Sequence, residues 1–180
     1  EAILAIMTGH PPLNYAMWSR RPRPVLAFAM SQYDRVVLNS RIVNGRRPGP
    51  HLLITGGVHG DEFTPMAAIR RLARQIDPRD LSGRLTMVPI VNEAAWLRGR
   101  RTAEDELDLA RTCPGDPTGT ITQRIAWALS QLIQTADFYI DLHTGSIDLA
   151  LSPLCGYMPH PGESVLQHQR KMARAFNLPI

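Results

Sequence analysis

Two histidines and a glutamate are the residues whose types and spacing could do chemistry. His59 and Glu62 lie three apart in Gly56-Gly57-Val58-His59-Gly60-Asp61-Glu62. The glycines permit a tight turn, so both side chains could point at one ion. Imidazole nitrogen and carboxylate oxygen are suitable zinc ligands at roughly 2.0–2.2 Å. His143, in Asp141-Leu142-His143-Thr144-Gly145, could supply a third ligand. Two His and one Glu would leave a fourth position open for water, the catalytic rather than the closed structural pattern. Taken singly, either segment is better explained by ordinary polar residues at a turn. Together they form a pairing that His10, His51, His160 and His168, in plainer contexts, do not offer.

Both segments fall where a strand should end. Leu52 to Thr55 is a short buried-strand pattern closed by Gly56-Gly57, and Phe138 to Leu142 is another that ends at His143. Thr64-Pro65 looks like an N-cap and first helical residue. Ile69, Leu72, Ala73 and Ile76 then follow at helical spacing, with Arg70, Arg71 and Arg74 on the other face. Leu85 to Val91 reads as a strand, with Pro89 marking a bulge or edge. Ile121 to Ile133 and Val165 to Phe176 read as helices. Residues 93–120 lack periodicity, and so long a loop inside a compact domain is usually functional. The first 24 residues read as irregular, followed by strands at Val25 to Ala29 and Arg35 to Val43. The order predicts an α/β protein, a mixed central sheet flanked by helices, with ligands outside the carboxyl ends of its strands. Residues 1–49 form an N-terminal segment of strands and irregular chain, and residues 50–180 carry the candidate site.

Composition narrows the function classes. The chain has 180 residues, 44% hydrophobic and 20% charged, enough for a buried core and against wholesale disorder. Apolar stretches such as Val25 to Met30 are far too short to span a bilayer, so no membrane role is expected. The formal charge is +4, and all basic residues except Lys171 are Arg. These spread from Arg20 to Arg174 without a block, and 6% aromatic residues offer little for base stacking, so nucleic acid is not an expected partner. Cys113 and Cys155 lack any CxxC spacing and read as reduced thiols in a cytoplasmic protein. The apolar opening, Ala2 to Met7, lacks the basic region and cleavage site of a secretory signal.

Four segments, in order, resemble the succinylglutamate desuccinylase/aspartoacylase family of zinc-carboxypeptidase-like hydrolases. They are GGVHGDE (Gly56 to Glu62), VNEAAWLRGRR (Val91 to Arg101), DLARTCPG (Asp108 to Gly115) and DLHTG (Asp141 to Gly145). The resemblance covers roughly residues 50 to 150. It implies that His59, Glu62 and His143 bind Zn2+. It also implies that Arg101 polarises the scissile carbonyl and helps hold the oxyanion, and that Arg111, with Asn92, binds substrate. A guanidinium fork suits a carboxylate, and a fixed cation beside a carbonyl stabilises charge that develops in the transition state. Asp141 shares a strand face with His143 and could orient a ligand or stabilise a neighbouring Arg; both readings stay open.

The implied function is a zinc-dependent deacylase that cleaves an N-acyl amide of an acylated amino acid or similar small carboxylate, with metal-bound water as nucleophile. The alternatives are a zinc carboxypeptidase acting on peptides and a non-catalytic metal-binding module. Two departures from the pattern argue against specificity for N-acetylaspartate or succinylglutamate: Ala110 stands where the family has Asn, and Glu93 where it has Pro. The family's general-base Glu lies on a later strand. Only 37 residues follow His143, and the one Glu among them, Glu163, is in a turn context. The chain therefore reads as the front portion of a larger catalytic domain. A homo-oligomer is compatible with all of this.

Overall fold

The computed structural model describes residues 4–9 and 36–179. Six strands form one mixed sheet: β1 (Leu4–Gly9), β2 (Arg41–Asn44), β3 (Arg47–Gly56), β4 (Ser82–Val88), β5 (Phe138–His143) and β6 (Leu154–Tyr157). Their spatial order is β2-β4-β3-β5-β1-β6. β3 runs parallel to both β4 and β5, while β2 and β1 join antiparallel to β4 and β5. Four helices lie among the described residues: α1 (Phe63–Gln75), α2 (Glu93–Arg98), α3 (Ile121–Ile133) and α4 (Glu163–Ala175).

The two-residue alternation of the central strands sorts their side chains onto two faces. Ile54, Leu85, Met87, Ile140 and Leu142 meet Ile69 and Ala73 of α1 and Ala173 of α4 on one face. Leu53, Val88 and Tyr139 meet Ile125, Ala126 and Leu129 of α3 on the other. β3 and β5 are therefore buried on both sides, which is why they read as continuous apolar runs.

Helix α3 and strand β5 fall where periodicity places them. Other expectations shift. α1 begins at Phe63 with Glu62 as its N-cap, so Thr64 and Pro65 lie in its first turn. Pro65 is tolerated there because first-turn amides have no partner within the helix. β4 ends at Val88, so Pro89 lies just past it rather than in a bulge. The irregular opening is interrupted by β1, which pairs with β5 and β6. β6 itself had no sequence signal. Residues 93–120 are not one loop: they hold α2 and a 3-10 turn at Leu109–Arg111. The expected strand at Val25 to Ala29 lies outside the described residues.

Candidate metal centre

The site is assembled at the carboxyl ends of β3 and β5. Parallel pairing sets Thr55 opposite Asp141 and Gly56 opposite Leu142. This brings the turn after β3 beside the end of β5. Gly57 has φ +65°, a left-handed conformation suited to glycine. At Gly60 a Cβ would fall on the Ala95 carbonyl and the Trp96 amide nitrogen, so only glycine lets this turn rest on α2. Asn92 closes the same region: its amide donates to Gly57 O (2.9 Å), and its side-chain oxygen accepts from Ala95 N (3.1 Å).

His59, Glu62 and His143 come together as expected. All three are buried, and their ligand atoms lie within 4.8 Å of one another. Glu62 faces both rings, with Oε1 2.8 Å from His59 Nδ1 and Oε2 3.1 Å from His143 Nδ1. The Thr144 amide also donates to Glu62 Oε2 (2.9 Å). The outer nitrogens are held by other carboxylates: His143 Nε2 by Asp141 Oδ2 (2.7 Å) and His59 Nε2 by Asp108 Oδ1 (3.1 Å). This donor set fits a divalent metal. Each imidazole turns one nitrogen toward the shared carboxylate and has the other fixed by a carboxylate, the arrangement that orients ligating histidines.

Asp141 therefore orients His143 and, among the described residues, touches no Arg. It is held in turn by Thr55, whose hydroxyl donates to Asp141 Oδ1 (2.6 Å). With that proton committed, Thr55 Oγ1 accepts from Tyr139 Oη at 2.9 Å. Burial, then the charge of Asp141, pushes the Tyr139 phenol well above its usual range, keeping it a donor.

Electrostatics follow the contacts. Burial opposes ionisation of Glu62, but hydrogen bonds from His143, His59 and Thr144 outweigh it and lower its pKa to about 2. Burial likewise opposes a charged His143, yet Asp141 and Glu62 raise it to about 10. For Asp108, burial is outweighed by hydrogen bonds from Arg101 and His59, which lower its pKa to about 2.

Arg101 and Arg111 both reach Asp108. Arg101 Nη2 donates to Asp108 Oδ2 at 3.0 Å, and its Nη1 lies 3.8 Å from Glu62 Oε1. Arg111 pairs with the same carboxylate oxygen, while its side chain remains 76% exposed and able to meet a ligand from solvent. Asn92 is fully buried as the cap of α2, and its side-chain nitrogen has no partner among the described residues. Glu163 stands apart: it opens α4, exposed, and its contacts are Gln167 and Arg170.

Sequence reasoning overlooked Asp108, the residue that ties a histidine to both arginines. Its signal was present, since it lies in DLARTCPG and caps the 3-10 turn through Ala110 N (3.0 Å). Thr55 and Tyr139 carried no such signal; only strand pairing brings them beside Asp141.

The fold and site define an α/β protein with a buried two-histidine, one-glutamate cluster suited to a metal. The chain belongs to the succinylglutamate desuccinylase/aspartoacylase catalytic-domain family, whose model matches residues 48–180. It is 36% identical over 153 residues to an N-alpha-acetyl-L-2,4-diaminobutyric acid deacetylase of Halomonas elongata, covering 83% of this chain and 44% of that protein. Among solved structures, a succinylglutamate desuccinylase/aspartoacylase from Rhodobacter sphaeroides is 40% identical, with TM-score 0.56 over 59% of this chain and 34% of that one. An aspartoacylase family protein from Mesorhizobium loti is 31% identical, with TM-score 0.71 over 78% and 45%. The chain thus spans less than half the length of each of these relatives. No helix among the described residues is long and apolar enough to cross a membrane.

Proposed function

We propose that this protein is a zinc-dependent deacylase that hydrolyses the N-acyl amide of a small acylated amino acid. The observation that carries the reading is the buried His59–Glu62–His143 cluster with both outer ring nitrogens anchored by carboxylates. The deacetylase relative, which the chain matches over most of its own length, supports an acylated amino acid as substrate. Two nitrogens and a carboxylate suit zinc, which His59, Glu62 and His143 would hold. Zinc there would supply Lewis acidity and lower the pKa of water.

The chain's own residues do the rest. Asp141 and Asp108 keep the two rings oriented. Arg101, beside Glu62, is placed to polarise an acyl carbonyl and hold the charge that develops on it. Arg111 reaches solvent with guanidinium donors to spare and binds the substrate carboxylate. Ala110 contributes no side-chain hydrogen bond beside it, so the amino-acid end is held chiefly by charge. Free thiols at Cys113 and Cys155 support a cytoplasmic setting.

The test uses the full-length protein. Metal analysis should find about one zinc per chain, bound through three protein ligands. Acyl-amino acids should be hydrolysed faster than short peptides. Arg111→Ala should raise KM more than it lowers kcat, while Arg101→Ala should lower kcat. Metal-free protein that still hydrolyses acyl-amino acids would refute the zinc reading; a preference for peptides would refute the substrate class.

A further inference from the structure

A cavity of about 770 Å³, open to solvent, lies at the β2 edge of the sheet, and none of the metal-cluster residues lines it. Arg70 and Arg74 enter it from α1, Arg41 from β2, and Ile90 and Trp96 from the segment after β4 and from α2. Glu93 is its one acidic residue. Arg70 and Arg74 are one helical turn apart on one face, roughly 5–6 Å between Cβ atoms, close enough to share one anionic group. Arg41 lines the same cavity. No hydrogen bond or ion pair occupies any of these three guanidinium groups among the described residues, although Arg79, Arg101 and Arg111 elsewhere are all paired.

Three like charges around one concavity repel each other, and a single carboxylate leaves a positive excess. Such a concavity concentrates field lines and draws a counter-anion. A guanidinium presents its donors as a planar fork that matches the oxygens of a carboxylate or phosphate. Ile90 and half-buried Trp96 add an apolar wall beside the cations, a surface for the carbon body of an organic anion.

We propose that this cavity is a second ligand site, distinct from the metal centre, which binds a small molecule bearing several anionic oxygens, phosphate or carboxylate, through Arg41, Arg70 and Arg74. The site does not depend on the deacylase reading, because it shares no residue with the metal cluster, Arg101 or Arg111.

The test is calorimetric titration of the full-length protein at physiological salt, with inorganic pyrophosphate in one arm and citrate in the other. Saturable binding is expected in at least one arm, and the arm that responds tells phosphate from polycarboxylate. The double variant Arg70→Ala/Arg74→Ala should weaken it at least tenfold. Both residues are exposed on α1, and Ala is the better helix former, so this variant keeps the fold. The double variant Arg101→Ala/Arg111→Ala should leave the binding unchanged. Absence of binding in both arms overturns the proposal. So does binding that survives loss of Arg70 and Arg74, or that disappears with Arg101 and Arg111.

Discussion

His143 is gripped on both sides of its ring, by Glu62 at Nδ1 and by Asp141 at Nε2. The two contacts have separate consequences. Removing the inner donor, as in His143→Ala or His59→Ala, should abolish metal binding, measured as zinc per chain. Removing an outer anchor leaves the ligands in place but less well oriented. Asp141→Asn or Asp108→Asn should therefore weaken metal affinity about 10- to 100-fold, read by competition with a chelating dye. The same contacts set the pH response of the metal-free protein. Glu62 and Asp108 fall to about 2 from ordinary values of 4.5 and 3.8, so their stabilisation is complete above those values and fades as pH drops toward 2. His143 rises from 6.5 to about 10, so its contribution is complete below 6.5 and fades as pH climbs toward 10. Melting temperature in the presence of a chelator should peak between pH 4.5 and 6.5 and decline on both sides. A flat profile would contradict this assignment of charges.

At the scale of elements, the site depends on how loops are fastened. The turn carrying His59 rests on α2 through Gly60. Gly60→Ala would force a methyl group into the α2 backbone and should cost about 1–3 kcal/mol, as overpacking does. Urea unfolding checks this. Metal affinity should fall along with stability, because the same turn holds two ligands. The segment between α2 and α3 is tied down by Asp105, which accepts from Thr122 N (2.9 Å) and Thr122 Oγ1 (2.6 Å) at the start of α3. Thr120 opens that helix, its amide donating to Gln123 Oε1 (2.9 Å). Losing a helix-start acceptor typically costs about 1 kcal/mol. Asp105→Ala should lower stability by about that amount, again by urea unfolding, and leave metal content unchanged. That outcome separates Asp105 from Asp108, two acids of one segment with different duties.

Across the whole molecule, one sheet serves both stability and chemistry. Leu53 on β3 is fully buried under α3, and two residues along the same face Thr55 begins the hydrogen-bond chain to His143. Leu53→Ala should cost about 2–5 kcal/mol, the usual range for a cavity in a packed core. The charge distribution also takes on meaning only at this scale. Among the Arg residues scattered along the chain, Arg101 and Arg111 gather on Asp108, and Arg41, Arg70 and Arg74 line the cavity between α1 and β2.

Local pattern made much of this legible. Helix α3 and strand β5 were readable because apolar residues recur at 3.6 and near-continuous spacing there. The two ligand segments were readable because glycine-rich turns and strand ends are local features. β1 and β6 were not, since each is stabilised by partners distant in sequence, and nothing in its own residues names them. The same holds within the site. Residue types and spacing singled out His59, Glu62 and His143, and the resemblance of the four motifs to the family singled out Arg101 and Arg111. That Asp108 joins a histidine to two arginines, that Asp141 serves His143 rather than an Arg, and that Asn92 is buried as a helix cap were decided by tertiary structure. Hydrogen bonds between groups up to 86 positions apart exist only once strand pairing has set them opposite each other.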